Sequence, residues 1–150
     1  MLLKELTAFQ LSAIFDSSSA QTEIVEENLC LVMQDSITSI WVDLKKSLLK
    51  FSSYISAKNF SPTEIQEIVS DLNNNVHKLN VSHDEFLNPD GSTDLILSAD
   101  QYLDPSEHFN PSYIRYLHQY FEELVTKAAL TYRERVIQKN YKYKQLELGI

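Results

Sequence analysis

Apolar residues recur at three- and four-residue steps over most of this chain, the periodicity of an amphipathic helix. Leu2, Leu6, Phe9 and Ala13, flanked by Leu3 and Ile14, open the series. Asp16-Ser17-Ser18-Ser19 closes it, because short polar side chains compete with the helical backbone ladder. Thr22 is placed as an N-cap ahead of Glu23, Glu26 and Glu27, acids that suit the positive end of a helix dipole. A stripe of Val25, Leu29, Met33, Ile37, Ile40, Leu44, Leu48, Phe51 and Ile55 follows, with no proline or glycine inside it. An unbroken helix over that stripe would be roughly 50 Å long at ~1.5 Å per residue. A compact chain of this size has a radius of gyration of only about 15 Å. The pattern therefore predicts a break near Asp35-Ser36 or Ser52-Ser53, or an elongated molecule.

Ser61-Pro62-Thr63-Glu64 is a helix start, with Ser61 as N-cap, Pro62 at the first position and Glu64 placed for a capping box. Ile65, Ile68, Val69, Leu72, Val76 and Leu79 supply its apolar face. Asn88-Pro89-Asp90-Gly91 reads as a turn, and the short apolar runs on either side could pair as a hairpin. From about residue 111 to 145 a final helix carries Tyr113, Leu117, Tyr120, Phe121, Leu124, Ala128, Tyr132 and Val136, after which its apolar face fades. The expected fold is one all-α domain over residues 1–150. It would be an irregular bundle of four to five helices, two of them long and amphipathic, with a small β-hairpin near residues 84–98.

Composition supports few turns: only Gly91 and Gly149 and four prolines occur in 150 residues. Charge changes the picture more. Between Lys78 and Arg115 no lysine or arginine occurs, while Asp84, Glu85, Asp90, Asp94, Asp100, Asp104 and Glu107 do. Residues 133–150 reverse the sign, with Arg133, Arg135, Lys139, Lys142 and Lys144 against Glu134 and Glu147, a net of +3. The whole chain is at −8, which leaves −11 for residues 1–132. An acidic, turn-rich segment (80–110) thus faces a basic C-terminal helix end (133–150), and segregated charge of this kind points to partners.

Reactive chemistry is sparse. Setting Gly91 at the sixth position of an EF-hand loop puts Phe86 and Leu97 at ligand positions, so that template fails. His77, His83, His108 and His118 lack the i, i+4 pairing of a zinc-protease helix. Glu26-Glu27 and Glu122-Glu123 are adjacent pairs, which point about 100° apart on a helix and do not converge for acid–base work. Cys30, set among Leu29, Leu31 and Val32, reads as a buried inert thiol. No Gly-rich phosphate loop is present. The expectation is a non-enzyme with no metal and no cofactor. With one cysteine, no leader-like N-terminus and no long apolar run, the expected location is cytoplasmic, away from the membrane.

Three functional readings follow. In the first, an acidic helical surface (Asp84, Glu85, Asp90, Asp94, Asp100, Asp104, Glu107) binds and masks or scaffolds a basic protein, as an inhibitor, toxin-neutralising protein, adaptor or chaperone would. In the second, the chain is a self-associating assembly subunit, a homodimer for instance, whose basic end meets the acidic segment of another copy. In the third and least favoured, Arg133, Arg135, Lys139, Lys142 and Lys144, interleaved with tyrosines, bind nucleic acid. Trp41 and Tyr116 lie off the main stripes; both are either core residues of wide apolar faces or, if exposed, interface anchors.

Overall fold

The computed structural model describes residues 1–16, 19–58, 60–147 and 149. It overturns the all-α expectation. A six-stranded antiparallel sheet forms the body of the protein, with three α-helices packed on it. After a short 3-10 turn at Leu3–Glu5 come α1 (Ala8–Asp16), β1 (Gln21–Glu26), β2 (Leu29–Met33), β3 (Ile37–Asp43) and β4 (Leu48–Ala57). These are followed by α2 (Pro62–Asn75), β5 (Asn80–His83), β6 (Thr93–Tyr102) and α3 (Pro111–Glu147). The strand order is β1-β2-β3-β4-β6-β5.

The stripe read as one long helix is the four-strand meander β1–β4. Its true period is two. Cys30 and Val32 on β2, Thr38, Ile40 and Val42 on β3, and Leu49, Phe51 and Ser53 on β4 are buried, and the residues between them are not. The three-four stripe crossed faces: Leu29, Met33, Ile37 and Leu48 lie on one side of the sheet, Ile40, Phe51 and Ile55 on the other. Turns needed neither glycine nor proline. Glu27-Asn28 closes β1 to β2, Gln34-Asp35-Ser36 closes β2 to β3, and Leu44–Ser47 closes β3 to β4 with Ser47 at φ 54° and Lys46 N donating to Asp43 Oδ1 at 3.0 Å. Thr22, expected to cap a helix, sits in β1 with its hydroxyl 2.6 Å from that of Ser12. Ser17 and Ser18, part of the expected stop to the first helix, lie outside the described residues.

The hairpin exists but is displaced and belongs to the main sheet. Its strands are β5 and β6, from Asn80↔Ser98 to His83↔Leu95. Asn88–Gly91 turns within the intervening loop, Gly91 at φ 82° with its amide on Asn88 O at 2.9 Å. β6 also pairs with β4 over ten positions, Leu48↔Tyr102 to Ala57↔Thr93. The second and last helices form where expected. Ser61 and Glu64 make the reciprocal capping box of α2.

All three helices lie on one face of the sheet, and a single core cluster joins them to it. Leu11 and Phe15 of α1, Ile65, Ile68 and Leu72 of α2, and Ile114, Leu117, Phe121 and Leu124 of α3 pack over Val32, Ile40, Leu49, Phe51, Leu95 and Leu97. Phe51 and Phe121 meet at 5.6 Å between ring centroids. Side chains of this size contribute about 1.5–3 kcal/mol each when fully buried. Asn73 fastens α2 to β5 with two bonds of 2.8 Å to the backbone of Val81. No described helix is long and apolar enough to cross a membrane.

Candidate functional site

The opposite face of the sheet carries no helix among the described residues. Side chains alternate along a strand, so every residue paired between the buried positions points to that open side. Three cross-strand rows define it. One is Glu26, Leu29, Trp41, Lys50 and Asp100. The next is Glu23, Leu31, Ser39, Ser52, Ser98 and Asn80. In the third, Gln21 pairs Met33, Met33 pairs Ile37, and Tyr54 pairs Ile96, which pairs Ser82. Ile37 is 60% exposed, Tyr54 58%, Tyr102 63% and Trp41 40%. Acids outnumber cations on this face: Glu23, Glu26, Asp43, Asp94 and Asp100 against Lys50.

The acidic segment does not form one patch. β6 has ten residues and is roughly 33 Å long at ~3.3 Å per residue, with acids at both ends. Near one end, Asp84 Oδ1 accepts Phe86 N at 3.0 Å and Asp90 accepts the amide and hydroxyl of Ser92. Asp94 accepts Asn88 Nδ2 at 3.0 Å. Beyond the other end, Asp104 accepts the amide and hydroxyl of Ser106 at 2.9 and 2.7 Å, with Glu107 beside it. The hydroxyls of Ser92 and Ser106 hold the Asp90 and Asp104 carboxyls below the usual range. These are turn-forming duties. Asp94 and Asp100 alone of the seven point to the open sheet face, and Glu85 and Glu107 are exposed in loops.

The basic helix end docks on α2 instead. Arg135 pairs with Asp71, and Lys139 Nζ lies 2.8 Å from Glu64 Oε1 and 4.9 Å from the Phe60 ring. Phe60 and Tyr132 meet edge-on at 5.6 Å. Arg133, Lys142 and Lys144 are exposed and make no ion pair among the described residues. Tyr116 is 63% exposed on the outer side of α3, stacked on Tyr113. Trp41 and Tyr116 are therefore surface aromatics, on two different surfaces.

Sequence reasoning passed over a polar pocket beneath α3. His118 is 2% exposed and packs edge-on against Phe15 at 5.0 Å. Its Nε2 lies 3.3 Å from Glu122 Oε1, misaligned for a hydrogen bond, so both atoms lack a bonded partner. Gln34, Asp35, Arg115 and Gln119 complete the lining. Burial pushes the His118 imidazole down to about 4 and the Glu122 carboxyl up, the latter helped by the nearby Asp35 charge. The signal available was the i, i+4 spacing of His118 and Glu122, hidden by reading Glu122 only against Glu123. No group of three or more metal-ligating side chains converges among the described residues. Cys30 is wholly buried, and burial raises its thiol.

No protein-family model matches the chain, and no curated protein matches it. Among solved structures, the crystal structure of YbjN from E. coli, described as a candidate transcription regulator, is similar with a TM-score of 0.62. Identity is 12%, over 87% of this chain and 92% of YbjN. At that identity the likeness speaks for the fold alone.

Proposed function

We propose that this protein is a non-enzymatic interaction module that takes up a basic, partly apolar segment of a protein partner on its open sheet face. The supporting observation is the composition of that face. Trp41, Ile37, Tyr54, Leu29, Leu31, Met33 and Ile96 lie together with five acids and one lysine. Contiguous exposed apolar surface with a polar rim marks a contact site. The acids would select cationic partners and speed their encounter. A module of this kind would mask or scaffold its partner, in keeping with inhibitor, adaptor or chaperone roles. The binding surface is a sheet, not the helical one expected from sequence. Transcription regulation through contact with nucleic acid gains no support from the charges here: an acidic face repels phosphates, and α2 occupies two of the five C-terminal cations.

Trp41, the sole tryptophan, is the natural reporter. Titration with a lysine-rich amphipathic peptide should shift its fluorescence, and an acidic peptide of equal hydrophobicity should not. Trp41→Ala should weaken binding about tenfold or more, as truncating a hot-spot aromatic does. Equal affinity for both peptides, or a Trp41→Ala variant that binds unchanged, would refute the reading.

A further inference from the structure

We infer that the open sheet face receives the C-terminal half of α3 from a second copy of the chain, in a head-to-tail contact. The inference rests on the open face being a docking surface and names one occupant for it. The occupant is visible within the chain. Beyond Ala128, the last fully buried residue of α3, Tyr132 turns toward Phe60 and Ser56 of β4, and Arg135 and Lys139 turn toward α2 on the same side of the helix. At about 100° per residue, Leu130, Ile137 and Tyr141 fall on the opposite side of the helix. They are 55%, 58% and 62% exposed, with Arg133 and Lys144 flanking them and Glu134 alone opposing in charge. This stripe is apolar and cationic; the open sheet face is apolar and acidic. Neither is covered by the described residues of its own chain.

The two surfaces also agree in size. Ser39, Ser52 and Ser98 form a low floor across three neighbouring strands. The rows on either side are four residues apart along each strand, about 13 Å, which accommodates a helix about 10–12 Å across. Residues 130–147 rise about 26 Å, and six strands span about 24 Å between their outermost axes. Arg133 and Lys144 are about 16 Å apart along the helix. Glu23 on β1 and Asp94 and Asp100 on β6 are four strand spacings apart, about 19 Å. Both cations can therefore meet acids at once. Because two different surfaces meet, the contact is heterologous and leaves a free sheet face at one end and a free helix at the other.

Heterologous pairing gives a decisive experiment on the full chain. The wild-type protein should show mass that rises with concentration in sedimentation velocity. Trp41→Glu blocks the sheet face and Ile137→Glu blocks the helix stripe, and each alone should weaken association about tenfold or more. Mixed, the two variants should form a heterodimer and stop there, since each retains the surface the other lost. A wild-type chain that stays monomeric up to about 1 mM, the weak end of specific association, would overturn the inference, as would a mixture that stays monomeric. Failure of the broader reading is separable. If Ile137→Glu binds the basic peptide as wild type does while no self-association occurs, the docking face stands and only its occupant is wrong.

Discussion

The two faces of the sheet are built from the same strands, yet one is closed and the other open. On the inner face, Val32, Ile40, Leu49, Leu95 and Leu97 are fully buried beneath three helices. One residue along, Met33, Trp41, Lys50, Ile96 and Ser98 face outward. The difference teaches that apolar content alone does not mark the core here; coverage by α1, α2 and α3 does. Stability should follow the inner face and recognition the outer. The largest expected effect tests that division. Phe51→Ala removes a ring packed at a tilt against Phe121 in the middle of the core and should cost about 3–5 kcal/mol. Tyr54→Ala, three residues on in the same strand and 58% exposed, should stay within roughly 1 kcal/mol. Urea unfolding midpoints at constant slope would decide. Comparable losses would mean that the open face is part of the core of a larger assembly.

That same two-faced design is why the meander was illegible in the sequence. A half-buried strand with a polar outer face reads as clean alternation. Here the outer positions are apolar as well, so Leu29-Cys30-Leu31-Val32-Met33 is a continuous apolar run, which periodicity cannot assign. Any run of that kind supplies residues at three- and four-residue steps by accident. The better signals were the β-branched and aromatic content of Ile37–Val42 and the polar breaks at Asn28, Asp35-Ser36 and Ser47. Where only one side of an element is apolar, the reading held. α2 carried an N-cap box and a proline start, and the first half of α3 an inward stripe of Leu117, Phe121, Leu124 and Ala128. The charge map was legible as composition but not as place: β6 carries its acids to both ends of the sheet, and α2 intercepts the basic end.

Acid should sharpen the contrast between the faces, because the inner one hides the group that titrates. His118 has its folded-state value lowered to about 4 from an ordinary 6.5, chiefly by burial. A depressed group contributes stability that is present above pH 6.5 and lost as pH falls toward 4, where the unfolded chain binds a proton that the folded one refuses. The loss should be on the order of 3 kcal/mol across that window. Glu122 works the other way, since its raised carboxyl favours the folded state as it protonates, and it offsets part of the loss. His118→Gln should flatten the decline between pH 6.5 and 4 in urea titrations, even if it lowers stability at neutral pH. A His118→Gln chain that keeps the wild-type pH profile would mean that the acid sensitivity lies elsewhere.

The smallest effect concerns α3, which repeats the contrast along a single helix. One side of its C-terminal half is held to α2 through Arg135–Asp71 and Lys139–Glu64, and the other carries Leu130, Ile137 and Tyr141 uncovered. The side chains in these ion pairs are about 20–40% exposed, so solvent screens them, and each should contribute only about 0.2–1 kcal/mol. Their more specific role is orientation, because holding Arg135 and Lys139 inward fixes which stripe faces out. Asp71→Lys with Glu64→Lys should therefore change global stability by at most about 2 kcal/mol, allowing for the repulsion introduced and for the Glu64 half of the α2 capping box that is lost with it. Amide exchange should rise mainly beyond residue 132, since an unpinned helix end opens locally without unfolding the core. Restoring opposite charges with Arg135→Glu and Lys139→Glu in the same chain should return exchange toward wild type. If protection beyond residue 132 is unchanged by the first pair of substitutions, the Phe60–Tyr132 contact and not the ion pairs holds the helix end in place.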